Sequence, residues 1–316
     1  MPTFLPGLKL SEIYYRFAVA PILKERFPNL RYSAGLIGPG SEVLGFDDKE
    51  STDHHWGLRL QLFVGKKDVA LRKQISKVLA ENLPSLMLGF PTNFSPPDPS
   101  DNFVRLPRMK TRGPIDHMIE IKTINDLNFP KTRADWMIIS TQKLLELTSG
   151  KLFHDGLKLR SKIQKFIRFP REIWFKRMAR IWDLIGRNEA FVGRTGFRGD
   201  EIGSKLIAAG QVRLLMELCF LTERKYAPYA KWLGTAFARL RCAKKLSPIF
   251  DRILSSGNWR KREKHLSRAY EIVAAMHNDL RITKRMPARV SKFHNRPYRV
   301  IHAEEFAKAI RAKVKI

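Results

Sequence analysis

The chain has 316 residues, 44% hydrophobic and 28% charged, which is the composition of a folded soluble protein with room for two ordinary cores. Its two cysteines, Cys219 and Cys242, have no CxxC spacing, which argues against a zinc knuckle or a disulfide framework and fits a reducing cytoplasm. The start lacks a basic segment leading into an apolar one, and the most apolar later stretch, Leu214–Leu221, is interrupted by Glu217, so neither a signal peptide nor a membrane span is expected.

The formal net charge of +29 is unevenly spread. Residues 1–150 hold 20 Lys and Arg against 16 Asp and Glu, whereas residues 151–316 hold 39 against 14. A field of this kind draws a polyanion to the second half, such as a nucleoside triphosphate, RNA, DNA or a membrane surface. The plainer alternative is a set of solvated faces.

In chain order, Ile13, Phe17, Ile22, Leu23 and Phe27 recur at roughly helical spacing, with Pro21 expected to end or kink the helix. Tyr32 to Ile37 reads as a strand stopped by Gly38-Pro39-Gly40. Leu58, Leu60, Leu62 and Val64 alternate with Arg59, Gln61 and Phe63, the period of a second strand, and Val69 to Leu83 reads as a helix. From Pro84 to Pro107 the chain is rich in Pro, Ser, Asn and Asp, either a mobile cover over a site or a passive connection. Met118 to Thr123 alternates again, with Glu120 and Lys122 on one face and Ile119 and Ile121 on the other. Beyond about residue 136 the pattern is almost wholly helical: Trp136–Leu147, Arg171–Arg187, Glu201–Tyr226, Tyr229–Leu240, Ser247–Ser255 and Lys261–Leu280. Two domains are expected, residues 1–135 and 136–316, the second basic and helical.

The chemistry of the first half rests on order and spacing. Gly40 allows close backbone approach to phosphates, and Ser41 offers a hydroxyl and an N–H at a helix start. Asp53 and His55 are expected to project from one strand face, with Glu120 on a neighbouring strand meeting them. Nucleotidyl transfer needs such a pocket, because divalent metal lowers the acceptor hydroxyl's pKa and neutralises departing pyrophosphate. Each element alone has an ordinary explanation: a Gly-Ser turn, an Asp before a strand, and Glu120 paired with Lys122 on a surface. Asp47 and Asp48 either supply a further oxygen or serve the Gly45-Phe46-Asp47-Asp48 turn. A zinc cluster of His54 or His55 with His117 is disfavoured, because adjacent strand residues face opposite ways.

In the second half, the segment Gly193-Arg194-Thr195-Gly196-Phe197-Arg198-Gly199-Asp200-Glu201 opens a long helix and is either an anion-binding entrance or a tight connection. Asp200 and Glu201 would compete with an anion there. The apolar stripe of Leu214, Leu215, Leu218, Leu221, Trp232, Phe237 and Leu240 is assigned to the core. The tract Arg260-Lys261-Arg262-Glu263-Lys264-His265 suggests attraction to phosphate without base reading.

The stretch LIGPGSEVLGFDDKESTDHHWGLR, residues 36–59, resembles an uncharacterised bacterial family, domain of unknown function 4037, of the nucleotidyltransferase superfamily. Residues 189–240 and the RPYRVIHAEEFAKAI segment resemble the family's helical half, so the likeness covers nearly the whole chain. It implies an α+β protein: an N-terminal polymerase-beta-type mixed sheet with helices, then an all-helical C-terminal domain. It also implies Gly40 and Ser41 as the phosphate turn, and Asp53, His55 and Glu120 as metal-binding and catalytic residues. Lys231, then Tyr229, would contact phosphates from the helical domain, with Arg194 a further nucleotide-binding candidate. Family members carry Asp-His-Asp-Trp-Gly-Pro-Arg where this chain has Asp53-His54-His55-Trp56-Gly57-Leu58-Arg59. Imidazole in a carboxylate slot weakens Mg2+ binding and suits Mn2+ or zinc better.

Three functions follow as expectations. The first is metal-dependent nucleotidyl transfer, with Mg2+ or Mn2+, from a nucleoside triphosphate, ATP foremost, to a hydroxyl acceptor that is a small molecule or an RNA end. The second is a nucleotide-binding regulatory protein that has lost turnover at His55. The third is a nucleic-acid-binding protein acting through residues 151–316.

Overall fold

The computed structural model describes residues 3–52, 56–110 and 112–313. The chain divides into two compact units, one of Met1–Lys131 with Gln142–Ile167 and the other of Thr132–Thr141 with Arg168–Ile316. The sequence boundary at residue 135 differs from this division, because the chain leaves the first unit, returns to it and leaves again.

The first unit opens with α1 (Gly7–Tyr14) and α2 (Ala20–Arg26), joined by one wide turn at Tyr15–Val19 in which the Ala20 N–H donates to Tyr15 O. The expected disturbance at Pro21 takes this form: proline brings no N–H to the helix ladder, and a π turn just ahead of it absorbs the mismatch without breaking the helix. Leu10, Tyr14, Val19 and Leu23 are consequently kept on the buried side.

Four strands form the main sheet: β1 (Tyr32–Leu36), β2 (Arg59–Val64), β5 (Met118–Lys122) and β6 (Lys151–Asp155), in the order β5-β2-β1-β6. β1 runs antiparallel to β2 with Ala34 opposite Leu62, and β2 runs parallel to β5 with Gln61 opposite Glu120. The sheet is therefore mixed, and with its flanking helices it gives the expected α+β class. Side-chain alternation sends Leu60, Leu62, Val64, Ala34 and Ile119 into the core with α1 and with Ile75 and Leu79 of α4 (Arg72–Asn82). Arg59, Gln61 and Glu120 take the opposite face. Between β1 and β2 lies the short α3 (Ser41–Leu44).

β6 is a strand that the periodicity did not suggest. Its residues Lys151–Asp155 do not alternate cleanly because its pairing with β1 is irregular between Ala34 and Gly35, and flanking Gly150 and Gly156 fit where a Cβ would strike β1 backbone. The single helix expected over Trp136–Leu147 is two, α5 (Arg133–Ile138) and α6 (Thr141–Ser149), and the break is where the chain passes back into the first unit. α7 (Leu159–Gln164) follows, its Leu159 N–H held by Asp155 Oδ1 at 2.6 Å.

The polar stretch between Pro84 and Pro107 is a tied connection. It holds a two-residue hairpin, β3 (Leu86–Met87) with β4 (Phe90–Pro91), and bridges at Phe94–Pro107 and Asp98–Val104. Arg105 donates from Nε to Ser95 O at 2.8 Å and pairs with Asp116 at 2.7 Å.

The second unit consists of α5 with α8 (Arg171–Asn188), α9 (Phe191–Phe197), α10 (Glu201–Thr222), α11 (Ala230–Phe237), α12 (Ala243–Ser255), α13 (Trp259–Asp279) and α14 (Ala303–Arg311). A two-residue hairpin, β7 (Ser291–Lys292) with β8 (Arg299–Val300), departs from the all-helical expectation. α8 and α14 pack through Trp182 stacked on Phe306 at 4.4 Å between centroids, with His277 of α13 edge-on to both rings. No helix among the described residues is long and apolar enough to cross a membrane.

Two buried groups in this unit titrate in opposite senses. The Glu189 carboxylate accepts the backbone N–H groups of Ile301 at 2.6 Å and Ala303 at 3.1 Å, yet its desolvation outweighs these bonds and raises its pKa from 4.5 to about 7. Burial lowers the pKa of His277 from 6.5 to about 4. Between these limits folded Glu189 keeps a proton that the unfolded chain has lost, so its contribution falls as pH rises from 4.5 to about 7. His277 behaves oppositely: its contribution is complete above 6.5 and is lost as pH falls towards about 4. Urea midpoints measured across this range should show Glu189→Gln gaining on the wild type as pH rises and His277→Phe gaining as pH falls, each by on the order of 3 kcal/mol across its window.

Candidate functional site

The turn between β1 and α3 is built by glycine geometry. Gly38 and Gly40 have φ of 113° and 137°, a region that side-chain-bearing residues rarely enter. A Cβ on Gly40 would also run into the Arg59 guanidinium and the Glu42 carboxylate. Ser41 is half-buried at the first position of α3, and no side chain caps that helix. Among the described residues the Ser41 hydroxyl makes no hydrogen bond, whereas the Gly38 N–H of the turn donates to Glu146 O at 3.1 Å.

Two side chains of β2 hold this turn. Gln61, only 4% exposed, donates from Nε2 to Ile37 O at 2.8 Å, and its Oε1 accepts the Ile37 N–H at 2.8 Å. Arg59 donates from Nε to Glu42 Oε1 at 2.7 Å and from Nη2 to Pro39 O at 2.8 Å. Its ion pair with Glu42 is nearly dry, with the two side chains 12% and 3% exposed. Neither Gln61 nor Arg59 was a candidate from sequence. The signal for Gln61 was present, an amide in the middle of an apolar strand, where a buried polar group must find partners.

Glu120 lies on the same sheet face. It is directly opposite Gln61 in the parallel ladder, with Gln61 Nε2 at 3.4 Å from its Oε2, and its side chain is 52% exposed. It also forms an ion pair with Lys122. Gln61 thus joins Glu120 to Ile37, three residues before Gly40 and four before Ser41. Asp53 and His55 lie outside the described residues. β2 begins at Arg59, and before it Trp56 is 4% exposed, stacks on Phe4 at 5.9 Å and donates from Nε1 to Asp47 at 3.3 Å.

The subsidiary acidic residues are committed elsewhere. Asp47 Oδ2 also accepts the Gly7 N–H at 2.6 Å, and Asp48 exchanges hydrogen bonds with Ser51 at 2.7 and 2.9 Å. His117 is buried, with Nδ1 3.2 Å from the Ile119 N–H and Nε2 3.1 Å from Ser76 O, and burial lowers its pKa. Both ring nitrogens therefore have protein partners. Among the described residues no three His, Cys, Asp or Glu side chains are grouped to hold a metal ion.

The remaining candidates belong to the second unit. Arg194 sits on α9 with its guanidinium 5.1 Å from the Phe191 ring. Tyr229 is the N-cap residue of α11, 47% exposed, and the Lys231 ammonium lies 5.2 Å from the Trp232 ring. The glycine-rich segment around Arg194 is largely helix. The start of α10 is occupied by its own acids: Asp200 Oδ1 accepts the Gly203 N–H at 2.7 Å, while Glu201 accepts from the Trp259 N–H and from Arg262, each at 3.1 Å. That segment is a capped connection, and the anion entrance considered from sequence has no vacancy at this helix start.

Comparison with known proteins adds the following. Residues 136–233 match the family model Domain of unknown function (DUF4037), the family that the sequence resembles. The matched region contains Arg194, Tyr229 and Lys231 and excludes the glycine turn and Glu120. The chain is also similar to a solved nucleotidyltransferase-like protein from Exiguobacterium sibiricum 255-15, with 11% identity, 94% of this chain and 88% of that chain covered, and a TM-score of 0.38. No curated protein matches the chain.

The dry pair behind the turn yields a sharp expectation. Arg59→Leu leaves the Glu42 carboxylate buried without its cation, and should cost about 3–5 kcal/mol in urea unfolding. Glu42→Gln with Arg59→Leu together should recover much of that loss, which separates an electrostatic cause from a packing one.

Proposed function

We propose that the first unit is the catalytic half of a metal-dependent nucleotidyltransferase that passes a nucleotidyl group from a nucleoside triphosphate, ATP foremost, to a hydroxyl acceptor. The supporting observation is the approach of Glu120 to Gln61 at 3.4 Å, because Gln61 is bonded to the residue that begins the glycine turn. A phosphate turn and a carboxylate on one sheet face are what in-line displacement at phosphorus requires.

In this scheme Ser41 and the uncapped amides of α3 hold the phosphates. The acceptor oxygen bonds to the α-phosphorus, the bond from that phosphorus to the pyrophosphate oxygen breaks, and the acceptor's proton passes to Glu120. Bound Mg2+ or Mn2+ would supply charge neutralisation at the leaving pyrophosphate. Glu120 offers it a carboxylate beside Gln61, and the rest of the donor set depends on Asp53 and His55. Mn2+ tolerates the imidazole nitrogen better than Mg2+. Lys231, Tyr229 and Arg194 are assigned to phosphate contacts by the resemblance alone. The acceptor is a small molecule or an RNA end, the latter suited to the basic second half.

A second reading, nucleotide binding without turnover, is favoured by the Glu120–Lys122 ion pair, which competes with a metal for the same oxygens. Pyrophosphate release from nucleoside triphosphates, followed with Mg2+ and with Mn2+ over a panel of hydroxyl acceptors, separates the two. Glu120→Gln should lower release by about a hundredfold or more with little change in nucleotide affinity. His55→Asp should raise turnover most in Mg2+. Nucleotide binding without release under every condition would select the second reading, and the absence of both would remove the nucleotide site altogether.

A further inference from the structure

The second unit contains a cavity of about 1050 Å³ whose lining includes none of the residues discussed above as nucleotide contacts. It is a cleft between α12 and α13, with the end of α10 at Thr222–Glu223 and the segment at Ala288–Arg289 completing its wall. Its size is that of a site for a drug-sized molecule. One face of α13, carrying Arg268, Ile272, Met276 and Leu280 at steps of one helical turn, lines it, and α12 adds Lys245 and Ile249. The core faces of these helices are Leu246, Phe250 and Ile253 of α12 and Leu266, Tyr270 and Val273 of α13, and the half-buried Ile249, Ile272, Met276 and Leu280 beside them line the cleft.

The charges are arranged unevenly around this apolar floor. Glu223 is held by the backbone N–H of Cys242 at 3.1 Å, and Glu271 by that of Val290 at 3.4 Å. Arg241 and Arg268 approach these carboxylates only at 3.7 and 3.6 Å, and their side chains are 87% and 67% exposed. Both arginines can therefore turn towards a ligand without stranding the acid that each accompanies. Lys245 and Arg289 are exposed and form no ion pair among the described residues. Against four cations stand three acids, Glu223, Glu271 and Asp279, two of which already have backbone donors.

We propose that this cleft binds a small amphipathic organic anion. Its charged head is taken by Lys245 and Arg289, with Arg241 and Arg268 turning in, and its apolar body lies along Ile249, Ile272, Met276 and Leu280. The proposal is independent of nucleotidyl transfer, since none of its residues is among those assigned to the nucleotide. Phosphate and carboxylate heads share the required chemistry, and the rim distinguishes them only by strength: guanidinium groups grip phosphate in bidentate fashion.

Calorimetric titration of the full chain tests it with decyl phosphate and decanoate as probes, and with decanol and inorganic phosphate as controls lacking the charge or the chain. One saturable site is expected for at least one of the anions, the phosphate where guanidinium dominates and the carboxylate where the lysine does. Lys245→Ala with Arg289→Ala should weaken that binding by about tenfold or more, and added salt should weaken it in the wild type. Met276→Trp should block the cleft. Because a core-side tryptophan can disturb folding, the surface double variant, checked by circular dichroism and thermal unfolding, carries the decision. Equal binding of decanol, unchanged affinity in a folded double variant, or no saturable binding of either anion would overturn the proposal.

Discussion

The turn after the first strand keeps its place because two polar side chains of β2 reach across to it. Gln61 reproduces a strand's hydrogen bonds at Ile37, where β1 has already ended, and Arg59 closes on Pro39 and Glu42 two residues further along the turn. Without them, Gly38 and Gly40 would leave the backbone loose, since glycine loses more conformational freedom on folding than any other residue. The same strand carries both tasks: its even face of Leu60, Leu62 and Val64 anchors it in the core, and its odd face sets the turn. Precision at the candidate site is thus inherited from the hydrophobic register of β2, and a slip of one residue would exchange the two faces completely.

Most of the first unit was legible because its strands obey the period of two and its glycines stand where the chain must turn. The strand from Tyr32, the strand around Leu60 and the strand around Ile119 all appeared close to where the sequence placed them, and the register sets Glu120 opposite Gln61. β6 was hidden since its pairing is irregular at Ala34/Gly35, and a bulge erases the alternation by which a strand is recognised. The break between α5 and α6 was hidden for another reason: both pieces share helical propensity, and only the division of the chain between two units separates them. Arg59 and Gln61 were visible as polar residues in an apolar strand, but their partners at Ile37, Pro39 and Glu42 come from a tertiary approach that no local pattern records. The metal-binding expectation at Asp53 and His55 falls on residues outside those described, so the site is legible in the structure only on its turn and Glu120 sides.

The second half shows how a strongly basic composition is tempered by structure. Arg262 is 1% exposed and binds Glu201, Ser204 and the Ser256 carbonyl, tying the starts of α10 and α13 together. Arg177 donates to the carbonyls of Trp136, Met137 and Ile139, where the last turn of α5 leaves acceptors open. Arg311 pairs with Asp183, and Arg133 with Glu172. These cations fasten helices, and the buried Arg262 is unavailable to a polyanion, so the net charge overstates the binding surface.

What remains is a positive field with local crowding. Burial lowers the pKa of Arg224, and the charge of Arg168 beside it adds to the effect, while Arg177 is lowered by burial and by Arg180. Arg224 stands 4.0 Å over the Trp174 ring, whose π face offsets part of that repulsion. Carboxylates would relieve the crowding, but the buried Glu189 and the half-buried Glu201 are committed to backbone N–H groups and to Arg262. The fold therefore uses its few acids internally and leaves positive charge outward. An anion arriving at this unit meets a field that any diffusing polyanion would feel, and selectivity must come from shape: a cavity with an apolar floor can discriminate where an open basic face cannot.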